Sequence, residues 1–176
     1  SDSFHPCQIL ADFMTIKEKK KTLKGLKIAW IGDGNNVCNS MIYGAALSGV
    51  TMSIATPKGF EPHKSTVKVS QNLTNIELTT DPLKAAKNAD VVVTDTYSSI
   101  HNNDSKRIKK FFPKYQVNDK IMDIAKKNAI FLHCLPAKRG QEVTSSVIDG
   151  PQSVVWDEAE NRLHTQKALL SALLHA

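Results

Sequence analysis

A doubly wound α/β fold, with a mainly parallel sheet covered by helices on both faces, is predicted on three observations. Short runs rich in β-branched and apolar residues alternate along the chain with stretches of helical periodicity. The strand-like runs, such as Val91-Val92-Val93, are continuously apolar, as strands buried on both faces require. Polar turns carrying Gly, Asn, Asp and Pro separate them. The length of 176 residues fits one domain with a substantial core. Apolar residues at 41% and charged residues at 23% exclude a disordered or collagen-like chain. No apolar run reaches the length a membrane span needs.

The elements follow in order. Residues 4–15 read as an amphipathic helix with Ile9, Leu10, Phe13 and Met14 on its apolar side. Lys27-Ile-Ala-Trp-Ile-Gly32 reads as a buried strand ending in a Gly/Asp/Asn turn, from which Asn36 caps a helix. That helix places Val37, Met41, Ile42, Ala45 and Ala46 inward and stops at Gly49. Further strands are predicted at 51–56, 76–79, 91–95, 129–133 and 154–156, and helices near 62–71, 82–87, 106–112 and 121–127. A last helix spans residues 163–176, rich in Leu and Ala. The layers are those of a Rossmann-like three-layer α/β/α unit over residues 17–162, flanked by end helices at 1–16 and 163–176. A helix at each end of a complete sheet points to packing against something further.

The net charge of +6 raises nucleic acid as a partner, but the basic runs at 17–27 and 106–114 lack aromatic interleaving. A solvated helix face accounts for them better, so neither nucleic acid nor membrane is expected as a partner. Three cysteines, Cys7, Cys38 and Cys134, form no CxxC pair, which suits a reducing cytoplasm and disfavours a structural zinc site. The chain opens at Ser1 without a leader-like segment and reads as a trimmed piece of something longer.

In an open parallel sheet, ligands bind beyond the carboxyl ends of the strands. That rule selects the turn Gly32-Asp33-Gly34-Asn35-Asn36, the loop 95–101 and the segment His133-Cys134-Leu135-Pro136, with Glu158-Ala159-Glu160-Asn161-Arg162 in reach of the same crevice. The first turn imitates a dinucleotide fingerprint, but Val37 stands where its third glycine belongs. The second strand runs into Thr56-Pro57-Lys58 without a ribose-binding acid, which disfavours a nicotinamide cofactor. Cys134 at a strand end reads either as core packing or as a site residue; adjacent His133 points to the opposite face and forms no dyad with it. Asp95 reads either as a turn cap or as a carboxylate placed to meet an amine.

Taken together, His5-Pro6-Cys7-Gln8, the Gly32–Asn36 turn, Thr56-Pro57-Lys58-Gly59, Thr94-Asp95-Thr96, His133-Cys134-Leu135-Pro136 and Glu158–Arg162 resemble the ornithine carbamoyltransferase family in identity, order and spacing. The resemblance covers the whole chain but only the second, ornithine-binding half of such an enzyme. It implies transfer of a carbamoyl group from carbamoyl phosphate to L-ornithine, with no metal and no organic cofactor. By that resemblance His5 and Arg162 hydrogen-bond the carbamoyl oxygen, and Gln8 with the Leu135 backbone holds its NH2 group. Cys134 and Asp95 position the amine, while Asn36, Asp95, Ser99 and the Ile100 backbone line the ornithine subsite. Catalytic roles thus fall to Asp95, Cys134, His5 and Arg162. The family's Ser-Thr-Arg-Thr-Arg phosphate motif is absent from the chain, so the partners implied are a missing N-terminal phosphate-binding domain and two further copies in a trimer. The end helices at 1–16 and 163–176 then become the contacts to that domain, and the isolated chain is expected to be inactive.

Two departures bear on the substrate. Tyr97 stands where the family usually has Trp, and Ser99-Ile100-His101 replaces Ser-Met-Gly. A carbamoyltransferase for another amine, such as putrescine or N-acetylornithine, is therefore one alternative. A non-catalytic amino-acid or nucleotide binding module is the other.

Overall fold

Five short runs pair into one sheet; the four more deeply buried ones present alternate side chains to two separate cores, while the edge run 76–79 buries only Ile76. In the computed structural model, which describes residues 1–97 and 105–175, these strands are β1 (Lys27–Ile31), β2 (Thr51–Ala55), β3 (Ile76–Thr79), β4 (Val91–Thr94) and β5 (Ile130–His133). All neighbours are parallel, in the order β3-β2-β1-β4-β5. Ile28 pairs with Met52 on one side and Val91 on the other, and Val93 pairs with Leu132.

Ile28, Trp30, Met52, Ile54, Val91, Val93, Ile130 and Leu132 turn to one face. There they meet α1 (Pro6–Lys20) and α2 (Asn36–Ser48) through Ile9, Phe13, Ile16, Met41 and Ile42, and α3 (Lys64–Ser70) through Val67. Ala29, Ile31, Ala55, Val92 and Phe131 turn to the other face. They are covered by α4 (Pro82–Ala86), α5 (Ser105–Phe111), α6 (Asp119–Ile124) and α7 (Ser145–Ile148). The chain closes with α8 (Val155–Leu174), whose first half packs on α1 and against β5. The doubly wound, three-layer architecture read from the sequence is the one observed.

Three local readings are corrected. The strand expected at 154–156 is absent: Phe131 and Ser153 form a single parallel bridge, and the chain then enters α8 at Val155. Asp157 and Glu158 sit in the first turn of that helix, where negative charge meets the positive end of its dipole. The last helix thus begins earlier than residue 163 and runs for 20 residues. Asn35, not Asn36, is the N-cap of α2: its side-chain oxygen accepts from the N–H groups of Val37 and Cys38. Leu10 is 45% exposed rather than inward, because α1 turns Ile9, Phe13 and Ile16 to the core and Gln8, Asp12 and Thr15 to α8.

Close approach requires glycine at several positions, Gly34 and Gly44 among them. A Cβ on Gly34 would sit 2.3 Å from the Pro62 nitrogen and 2.6 Å from the Phe60 carbonyl oxygen. A Cβ on Gly44 would meet Ile9 and Phe13 at 2.8 and 2.7 Å, so this position sets how closely α1 lies on α2.

Candidate functional site at the carboxyl edge of the sheet

The sheet order reverses direction between β1 and β4, which makes the gap beyond their carboxyl ends the topological switch point. Asp95 follows β4 there and is 7% exposed. Its Oδ2 accepts from Asn35 Nδ2 at 2.6 Å, across the gap from the β1 turn. Its Oδ1 accepts from the Thr96 N–H at 2.7 Å and from the Cys134 thiol at 3.2 Å. Asn35 has no freedom in this arrangement: its oxygen caps α2, so its NH2 must point at Asp95.

Burial, and after it the Asp95 charge, pushes the Cys134 thiol up from its ordinary pKa. At neutral pH Cys134 is therefore a thiol that donates to Asp95, not a thiolate nucleophile. His133 is fully buried and points elsewhere. Its Nδ1 accepts the Leu135 N–H at 2.9 Å, so Nε2 carries the proton and donates to Glu142 Oε1 at 3.3 Å. Glu142 also accepts the Lys138 N–H, and together these bonds tie the segment after β5 into a closed loop. The expectation that His133 and Cys134 form no dyad holds. Asp95, His133 and Cys134 do bring three possible ligand atoms within 4.8 Å of one another, but both ring nitrogens of His133 are committed to Leu135 and Glu142.

Leu135, in the left-handed region at φ 56°, leads into a cis Leu135–Pro136 bond. A leucine held there costs about 1–2 kcal/mol, and the His133–Leu135 bond is one contact that holds it. Tyr97 leaves the edge altogether: it is buried and stacks on Phe111 with ring centroids 4.8 Å apart. Ser99, Ile100 and His101 lie outside the described residues.

The other wall is made by α1 and α8. His5 is the N-cap residue of α1, and its N–H donates to Ser40 Oγ at 2.7 Å. Burial first, then the Arg162 charge, lowers the His5 pKa, so its imidazole is neutral at neutral pH. Gln8, one turn on, is 1% exposed. Arg162 Nη1 donates to Gln8 Oε1 at 2.6 Å. The buried Nε of Arg162 has no partner among the described residues. Asn36 Nδ2 donates to the Ser1 carbonyl at 2.8 Å.

The structure thus brings Asp95, Cys134 and Asn35 into one hydrogen-bonded group and Gln8 and Arg162 into another, with His5 feeling the charges of both Arg162 and Asp95. Two residues bonded to these groups were missed in the sequence: Asn35, and Asp12, whose Oδ1 accepts from Gln8 Nε2 at 2.8 Å. Asn35 was passed over for its neighbour as the cap. Asp12, four residues after Gln8 on the same helix face, carried a signal in that spacing alone.

The sequence of the Asp/Orn binding domain of aspartate/ornithine carbamoyltransferases matches residues 24–173. The chain belongs to that family. Among the carbamoyltransferases, it is 64% identical over 173 residues to the ornithine carbamoyltransferase of Cenarchaeum symbiosum (strain A), covering 98% of this chain and 58% of that protein. It is 53% identical to the ornithine carbamoyltransferase of Methanococcus aeolicus, covering 96% of this chain and 58% of the other. The solved ornithine carbamoyltransferase from Pyrococcus furiosus superposes with a TM-score of 0.92 at 49% identity, over 97% of this chain and 56% of that one. The chain therefore spans somewhat over half the length of the carbamoyltransferases it matches.

Proposed function

We propose that this chain is the ornithine-binding half of an ornithine carbamoyltransferase, which moves the carbamoyl group of carbamoyl phosphate to the side-chain amine of L-ornithine, giving L-citrulline and phosphate. The observation that carries the reading is Asp95: a nearly buried carboxylate at the switch point, oriented by Asn35 and Cys134. A fixed carboxylate of this kind suits an amino-acid ammonium group. The ornithine carbamoyltransferases named above support the choice of substrate.

In this mechanism the neutral ornithine amine attacks the carbonyl carbon and a C–N bond forms. The C–O bond to phosphate breaks with its electron pair leaving on phosphate, and the proton shed by the amine nitrogen goes to the departing phosphate. Neutral His5 and the Arg162 guanidinium donate to the carbonyl oxygen as charge gathers there. Gln8 and the Leu135 backbone hold the carbamoyl NH2. Asp95 and the Cys134 thiol orient the amine, and Asn36, Asp95, Ser99 and Ile100 line the amino-acid subsite. The phosphate-binding domain and the trimer are supplied by the longer protein. Exposed Leu163, Leu170, Leu173 and Leu174 on α8 support a contact there, with residues 1–16 and 163–176 as its two sides. A cytoplasmic location fits the unpaired cysteines. Among the described residues no helix is long and apolar enough to cross a membrane.

Calorimetric titration of the chain with L-ornithine tests the reading, with putrescine and N-acetylornithine as competitors. Saturable ornithine binding that Asp95→Asn weakens about 10–100-fold, the range for a charge-assisted hydrogen bond, supports it. Binding of either competitor in preference to ornithine, or ornithine binding indifferent to Asp95, overturns it. Citrulline is expected only when the phosphate-binding half is supplied as well.

A further inference from the structure

Between α1 and α8 lies a seam of buried polar side chains that the proposed chemistry does not use. Asp12 and Glu158 are each 1% exposed. Gln8 Nε2 donates to Asp12 Oδ1 at 2.8 Å and to Glu158 Oε1 at 3.0 Å, which uses both of its N–H groups. Glu158 Oε2 accepts the His133 N–H at 2.9 Å and so ties the seam to the end of β5. With its NH2 taken up, Gln8 has only its carbonyl oxygen left to offer, and that oxygen holds Arg162 Nη1. A guanidinium cannot accept a hydrogen bond, so an amide turned the other way would set donors against donors. The buried Nε of Arg162, without a partner among the described residues, is a donor that an acceptor oxygen would satisfy.

We propose that Asp12 and Glu158 are positioning residues: by capturing both N–H groups of Gln8 they fix its amide orientation, and through its carbonyl they aim the Arg162 guanidinium at the substrate oxygen. The aiming of Arg162 rests on the carbamoyltransferase reading; the orientation of Gln8 does not. Burial raises both carboxyl groups above their ordinary range, Asp12 to about 7, and the Asp12 charge pushes Glu158 up further, so the two titrate as a pair. A pair carrying a single negative charge beside the Arg162 cation is easier to keep buried than two carboxylates.

Nitrogen-15 NMR of the chain tests this through the side chains of Gln8 and Arg162. The Gln8 NH2 protons exchange with solvent far more slowly than those of an exposed glutamine. Asp12→Asn, which keeps a carbonyl acceptor for Gln8, preserves that protection. Asp12→Leu, which removes the acceptor, speeds exchange about tenfold, as the loss of one buried hydrogen bond requires, and frees the Arg162 guanidinium to rotate. If the wild-type Gln8 protons exchange like those of a surface glutamine, the proposal is overturned, whether or not Asp12→Leu folds. A folded Asp12→Leu chain with Gln8 and Arg162 unchanged overturns it as well. An ornithine titration in the same sample keeps the two readings apart: no shift near Asp95 sinks the proposed function and leaves the result for Gln8 standing.

Discussion

The two halves of α8 invert the usual rule of burial. Its first half buries a carboxylic acid and an amide, with Glu158 1% and Asn161 5% exposed. Its second half exposes leucines, with Leu170 60% and Leu174 81% exposed. Glu158 and Asn161, the buried polar residues of the first half, both have partners on α1, while the buried Arg162 Nε has none among the described residues. Glu158 meets Gln8 and His133, and Asn161 Nδ2 donates to Thr15 Oγ1 at 2.9 Å and Glu18 Oε2 at 2.8 Å. A polar interior is costly to build and sensitive to any missing partner, whereas an uncovered apolar face costs the folded chain little by itself. The contrast separates a half-helix whose polar groups are matched within the chain from one whose leucines are left uncovered by the described residues.

The sharpest way to break the contrast is Glu158→Leu. It strands the His133 N–H and one Gln8 N–H in the interior and should destabilise the chain by about 3 kcal/mol in urea unfolding. A loss within 0.5 kcal/mol would mean that the seam carries no stability.

The pH dependence comes next. Asp12 is raised by burial from 3.8 to about 7, so between these values the folded state holds a proton that the unfolded chain has released. Stability from this group is fully present below about pH 4 and is lost as pH rises through about 7; Glu158, also raised, acts in the same sense. The nearby charges of Arg162 and Asp95 push Asp12 in opposite directions. His5, with its lowered pKa, works the other way, losing stability as pH falls through its ordinary range, so the comparison must be made against a variant. Differential scanning fluorimetry should show the wild-type Tm falling by a few degrees from pH 5 to 8, with the slope flattened in Asp12→Asn.

A smaller effect is expected of Asn161→Ala, which removes the bonds to Thr15 and Glu18 at a cost of about 1 kcal/mol by the same unfolding measurement. The smallest belongs to the other half of the helix. Leu170→Ser with Leu173→Ser should change unfolding by no more than about 0.5 kcal/mol. A loss as large as that of Asn161→Ala, together with a concentration-dependent Tm, would show this face to be covered by a second copy.

What the sequence made legible follows from the same contrast. The central strands were readable because runs such as Val91-Val92-Val93 face two cores at once, whereas edge strand β3, with Glu77 in it and Leu78 exposed, was carried by its β-prone Ile76 and Thr79. The turn at Gly32–Asn36 and the segment His133–Pro136 were found because the strands place them at the sheet's carboxyl edge. The Val154–Trp156 run misled because three β-prone residues do not distinguish a strand from the entry to a helix, and the deciding charges at Asp157 and Glu158 come afterwards. Leu10 and Asp12 misled together. A helix covered on two sides buries a polar stripe beside its apolar one, and hydropathy periodicity registers only the latter. Asn35 was hidden because either of two adjacent asparagines satisfies a capping pattern, and only the sheet's geometry decides which one reaches Asp95.

The bond from Arg162 to Gln8 joins residues 154 positions apart in the chain. While the chain emerges from a ribosome, α1 is made well before α8 and can dock on α2 early, but its polar stripe stays open to water until α8 has been released. Closing so long a loop carries an entropy cost that only the finished helix pair offsets. Assembly of this wall of the site is therefore a late event in biosynthesis, and a chain stalled after β5 would carry a formed sheet with Gln8 and Asp12 still unmated.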